Sequence, residues 1–149
     1  MWWFRIGLLC LVAACGFEPA GQSIQGRFTV AEPTDRASFL LVQRIEERIG
    51  RAIAADYVLD VELTFSEQGL AIDREGDVRR FNLIGTAAFT VTNAQTGDVL
   101  DSGTLRNFTG YSATGSTVST LAAERDAQRR LSVILADQVV ARLQTLSVP

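Results

Sequence analysis

The sequence predicts an α+β two-layer sandwich: a four-stranded sheet with two helices on one face, in the order βαβββα. Three observations predict it. Residues 35–54 and about 119–145 place apolar side chains on one stripe at helical spacing. Three segments starting near Asp56, Val78 and Val99 alternate apolar and polar residues, with short turns between them. The lengths also match. Helices of 20 or more residues span about 30 Å and ten-residue strands about 33 Å, so both helices can lie across one sheet face.

Each element has a local reason. In residues 25–31, QGRFTVA, Phe28 and Val30 stand at period two and mark a short first strand. Pro33-Thr34-Asp35 reads as a helix start, with Thr34 or Asp35 as cap. In the helix that follows, Leu41, Ile45, Ile49, Ala52 and Ile53 form the apolar stripe, opposite Arg44, Glu47, Arg48 and Arg51. Glu47 and Arg51 make a favourable i,i+4 pair, and Gly50 weakens the helix by up to about 1 kcal/mol. Beyond Asp56, Tyr57, Leu59, Val61, Leu63 and Phe65 share one strand face, and Asp60, Glu62, Thr64 and Ser66 the other. Gly69 bends or ends that strand, and residues 70–72 continue it.

Residues 73–77, DREGD, are a turn. Val78 to Thr92 is the next strand, with Phe81, Leu83, Ala87, Phe89 and Val91 on its apolar face. Residues 93–98 are a hairpin loop. Val99 to Tyr111 is a less regular strand, whose apolar points are Leu100, Leu105, Phe108 and Tyr111. After the small-residue loop 112–117, the last helix carries Leu131, Ile134, Leu135, Val139 and Leu143 as its stripe. Its first half is dense in charge: Glu124, Arg125, Asp126, Arg129 and Arg130.

Domain organisation follows from the N-terminus. Arg5 precedes the apolar run Ile6 to Ala14, which is too short for the roughly 20 residues that cross a bilayer and reads as a signal peptide over residues 1–14. The competing reading is a buried N-terminal element. Val12-Ala13-Ala14-Cys15 closes the run and resembles the lipobox of bacterial lipoproteins, with Val12 where Leu is commoner. That resemblance implies an acylated Cys15 as the first mature residue and a membrane anchor through it. Each buried CH₂ contributes about 0.8 kcal/mol, and stable anchoring takes more than one chain. Residues 15–24 are then a lipidated tether, and residues 25–149 a single domain. Cys10 falls in the removed segment, so an acylated Cys15 leaves no thiol for an internal disulfide.

Composition excludes several functions. Without Arg5, 13 cations face 17 anions, a net charge of −4, so no basic excess exists to neutralise nucleic-acid phosphates. Every cation is arginine, and there is no histidine. Gly110-Tyr111-Ser112-Ala113-Thr114 fails G-x-S-x-G at its fifth position, and a serine hydrolase of the usual kind lacks its base. With neither His nor free Cys, a zinc site has no ligands of the usual kind. Asp60 with Glu62, and Asp73, Glu75 and Asp77, suit acid–base work or Ca²⁺ in principle. Their positions at strand surfaces and in a turn favour solvated carboxylates. The expectation is a non-enzymatic protein without metal or cofactor.

The Cys15-Gly16-Phe17-Glu18-Pro19 start, the βαβββα order and the run Tyr111 to Ser116 leading into Ala123-Glu124-Arg125-Asp126-Ala127-Gln128-Arg129-Arg130-Leu131 together resemble the LptE family. The resemblance implies an outer-membrane lipoprotein on the periplasmic side. It would plug and help assemble an LptD-like barrel, bind lipopolysaccharide and assist its delivery to the surface. An auxiliary lipoprotein of another envelope lipid-transport complex is the alternative. Arginine suits bidentate phosphate contacts. Arg79 and Arg80 are therefore the first candidates for lipopolysaccharide, with Arg74 and Arg106 next, although alternation puts Arg79 and Arg80 on opposite strand faces.

Overall fold

A computed structural model describes residues 24–72, 78–113 and 116–146. The elements are β1 (Phe28–Val30), α1 (Arg36–Ile49), β2 (Tyr57–Ile72), β3 (Val78–Asn93), β4 (Val99–Ser112) and α2 (Thr117–Gln144). The sheet order is β1-β2-β3-β4. β1 runs parallel to β2, and β2–β3 and β3–β4 form the expected antiparallel meander. Both helices pack on one face, the predicted two-layer α+β fold, and the sheet is open.

Local chemistry fixes the helix ends. Asp35 is the cap of α1: its Oδ1 accepts the Ser38 N–H at 2.7 Å, and Ser38 Oγ accepts the Asp35 N–H at 2.9 Å. This reciprocal pair is a capping box. The expected helix to residue 54 is cut short at Ile49. Gly50 adopts φ +73° and donates its N–H to Glu46 O, a left-handed conformation that other residues rarely take. Ile53, expected on the apolar stripe, is consequently fully exposed. Arg51, no longer helical, pairs with Glu46 at 2.6 Å, while Glu47 pairs with Arg44 at 3.5 Å.

The backbone N–H of Ser38, donating to it, holds the Asp35 carboxyl below its ordinary pKa of 3.8. A lowered folded pKa contributes stability that is present above that ordinary value and lost as pH falls through the folded one. Asp35→Ala should therefore cost about 1 kcal/mol at neutral pH, and the cost should shrink in acid. Asp35→Asn should keep the cap and lose that acid dependence. Urea titrations at neutral pH and near pH 3 test this. An alanine cost that is unchanged in acid would refute the assignment.

The core lies between sheet and helices. One cluster joins Leu41, Ile45 and Ile49 of α1, Leu59 of β2, Ala87 and Val91 of β3, and Leu135, Val139 and Leu143 of α2. A smaller one joins Leu83, Tyr111, Ala127 and Leu131. Besides Ile53, three expected apolar positions differ, and the first, Leu100, is exposed where the β3–β4 register shifts. Phe108 is 66% exposed on the opposite sheet face, because the helix-facing register of β4 runs through Leu105 and Tyr111. Ile134 is also exposed. Its place is taken by Ser132, Ala136 and Val140, whose small side chains let α1 approach, and Ser132 Oγ is satisfied by Gln128 O at 3.0 Å. Near Gly69 the β2–β3 register slips, the predicted bend, and the strand continues to Ile72.

Candidate functional site

Among the described residues nothing covers the sheet face away from the helices. It carries the even-numbered side chains of β2, β3 and β4: Asp60 beside Thr90 and Ser102, Glu62 beside Ala88 and Thr104, and Ile84 beside Phe108. Asp60 and Glu62 are exposed there, and so is Ser112 at the end of β4, which suits solvated groups rather than a catalytic pair.

The sequence-predicted arginines are not gathered at one point. Arg80 and Arg106 both stand on the uncovered face and are exposed. Arg106 is opposite Thr86, six residues from Arg80, so about 20 Å of strand separates them. Arg79 is exposed on the other parity, and its carbonyl accepts the Ala113 N–H at 3.0 Å. Cys15 and Arg74 lie outside the described residues.

A second arginine group was not anticipated. Arg36, Arg125 and Arg129 line one groove of about 90 Å³ between the helices, with Ala37, Leu40 and Gln128 and no carboxylate. The helices run in the same direction here. Farther along, Arg44 bridges to Asp137 at 3.1 Å. In the groove, Arg129 is tied to Asp126 at 2.6 Å, while among the described residues Arg36 and Arg125 have no ion-pair partner. Two sequence signals marked this site. Arg36 is a cation in the first turn of a helix, the end that favours anions. Arg125 and Arg129 form a like-charged i,i+4 pair, which opposes the helix. Both arrangements oppose the helices that carry them.

Elsewhere the arginines serve the fold. Arg142 grips Asp101 at 2.9 Å, and Arg27 grips Asp56 at 2.9 Å and lies 5.1 Å over the Tyr57 ring. Arg130 reaches Thr109 Oγ1 at 3.2 Å, near the β4 end that pairs with Arg80. Beneath it Tyr111 stacks on Phe81 at 5.2 Å and donates to Glu67 across β3. Burial, reinforced by Glu67, pushes the phenol well above its ordinary range, so Tyr111 is a neutral structural donor.

The same fold occurs in small bacterial proteins that are named as lipoproteins. A Caulobacter crescentus protein named as a lipoprotein matches with TM-score 0.65 at 20% identity, over 86% of this chain and 94% of its own. Rare lipoprotein B of Shewanella oneidensis gives 0.62 at 14%, over 78% and 90%. An uncharacterized lipoprotein B of Nitrosomonas europaea gives 0.60 at 18%, over 87% and 94%. None of the curated proteins matches significantly. The family model for LptE, described as lipopolysaccharide-assembly, matches residues 24–143, and the chain belongs to that family.

Proposed function

We propose that this protein is a non-enzymatic outer-membrane lipoprotein, anchored at the periplasmic side through an acylated Cys15. In this reading it partners and plugs an LptD-like barrel and assists lipopolysaccharide to the cell surface. The family match carries the reading, because it spans nearly the whole described fold. The surfaces are consistent with it. The uncovered sheet face is rich in Thr, Ser and charge, which suits a wet barrel wall. The Arg36–Arg125–Arg129 groove offers guanidinium groups to a phosphate, and Arg79, Arg80, Arg74 and Arg106 remain separate candidates on the strands.

Affinity purification of the full chain from membranes should bring down a large barrel protein together with lipopolysaccharide. Protein lacking residues 1–15 should bind lipopolysaccharide more weakly as salt rises, because exposed charge contacts are screened. Arg36→Glu with Arg125→Glu should weaken binding on the order of tenfold, with circular dichroism unchanged. Arg79→Glu with Arg80→Glu tests the other site. No barrel and no lipopolysaccharide would sink the reading, and salt-insensitive binding would move the contact to the acyl chains.

A further inference from the structure

β1 is only three residues long, whereas its neighbour β2 has 16, so among the described residues most of the outer edge of β2 has no strand beside it. The hydrogen bonds show which groups that edge presents. Tyr57 N donates to Arg27 O at 3.1 Å, and Leu59 O accepts from Ala31 N at 2.8 Å. Backbone groups of alternate strand residues point the same way, so Val61, Leu63, Phe65 and Glu67 also direct their N–H and C=O outward. Among the described residues nothing bonds to these backbone groups. They offer about 20 Å of ready pairing edge.

The opposite edge of the sheet is treated differently. Ala113 N donates inward to Arg79 O, so even-numbered residues of β4 face out. There the Phe108 N–H is capped by Asn107 Oδ1 at 2.8 Å, and Arg130 reaches Gly110 O at 3.5 Å. Side chains thus cap two groups of the β4 edge, a common device against unwanted pairing, while among the described residues none caps the β2 edge.

Where β1 stops, the β2 edge opens on a notch of about 370 Å³. Val42, Val61 and Leu63 supply apolar lining, Glu32, Asp60 and Glu62 supply charge, and among the described residues no cation lines it. We infer that the outer edge of β2 is a β-augmentation site for an extended, cationic segment of a protein partner, laid in line with β1. Main-chain pairing would give affinity, and arginine or lysine at alternate positions would meet Glu32, Asp60 and Glu62. A second copy of this chain is disfavoured, because two paired β2 edges would oppose carboxylate to carboxylate.

This inference rests on the proposed barrel partnership and is tested on that complex. Amide exchange is read by mass spectrometry on the full chain, alone and with its barrel partner. The odd-numbered amides of residues 61–67 should exchange freely in the isolated protein and slow at least tenfold in the complex, while the amides of residues 104 and 106 on the β4 edge stay unchanged. Asp60→Arg with Glu62→Arg should weaken the complex on the order of tenfold and abolish that protection, with circular dichroism unchanged. A complex that forms without slowing residues 61–67 overturns the inference and leaves the barrel partnership standing. Failure to form any barrel complex overturns both. Protection that appears in the isolated protein and grows with its concentration would make a second copy the occupant and refute the cationic segment.

Discussion

Leu135→Ala should destabilise the domain by about 4 kcal/mol, in the upper half of the usual range for a buried leucine. Leu135 is fully buried in α2 and packs against both α1 and the sheet. It sits directly over Gly85: a Cβ added to Gly85 would come within 2.9 Å of Leu135 Cδ1 and 3.3 Å of Phe65 Cε1. Gly85 directly below has no side chain with which to fill the hole, so much of the cavity persists. Domain stabilities run about 5–15 kcal/mol in total, so the loss would be a large fraction. Gly85→Ala alone overpacks the same contact and should cost about 1–3 kcal/mol. Combined, the two changes should cost less than their sum, because the new methyl occupies part of the vacated space. Urea unfolding of the four proteins decides it: a Leu135→Ala cost under about 1 kcal/mol, or strict additivity, would show that α2 does not bear on Gly85 as described.

The parts of this fold that were legible are those where one residue pattern answers to one physical cause. Alternation along β2 and β3 tracks burial because the helix-facing side chains there are apolar, from Tyr57 to Leu63 and from Leu83 to Val91. β4 defeated the same reading. Its helix-facing register includes Asp101, Gly103, Asn107 and Thr109, held partly by Arg142 and Arg130, so the bulkiest apolar residue, Phe108, points the wrong way. In α2 the stripe was centred correctly on Leu131, Leu135 and Val139, but its flank was misassigned. The buried flank is made of Ser132 and Ala136, whose smallness is the point of contact, and hydrophobicity does not report smallness. The helix end at Gly50 required a φ that no propensity scale assigns. The arginine groove joins residues 89 or more apart, Arg36 with Arg125, and only the parallel packing of α1 against α2 brings them together. What a single sequence did carry was the warning that each cation stood in an unfavourable place.

Cys15→Ser should leave a folded domain and remove its function at the membrane. Among the described residues, Ile24 is buried and Gly26 N donates to Ile49 O at 2.9 Å, contacts that hold the domain without the thiol. The expected role of Cys15 is positional. With roughly nine residues of tether, an acylated start keeps the domain within about 30 Å of the bilayer. That confinement raises its effective concentration at a barrel mouth to the millimolar range, so even a moderate interface stays occupied. On that reading a protein without the acyl chains would be unprocessed or mislocalised, and its association would depend on affinity alone. The Cys15→Ser protein should therefore show unchanged circular dichroism, loss of the acylated N-terminus by mass spectrometry, reduced barrel recovery and reduced surface lipopolysaccharide. Depletion of the whole protein should be more severe, leaving the barrel misassembled. A serine variant that still fills the barrel would show that the interface suffices without the anchor. If depletion leaves barrel level, barrel fold and surface lipopolysaccharide unchanged, the barrel partnership fails, and an auxiliary role in another envelope lipid-transport complex takes its place.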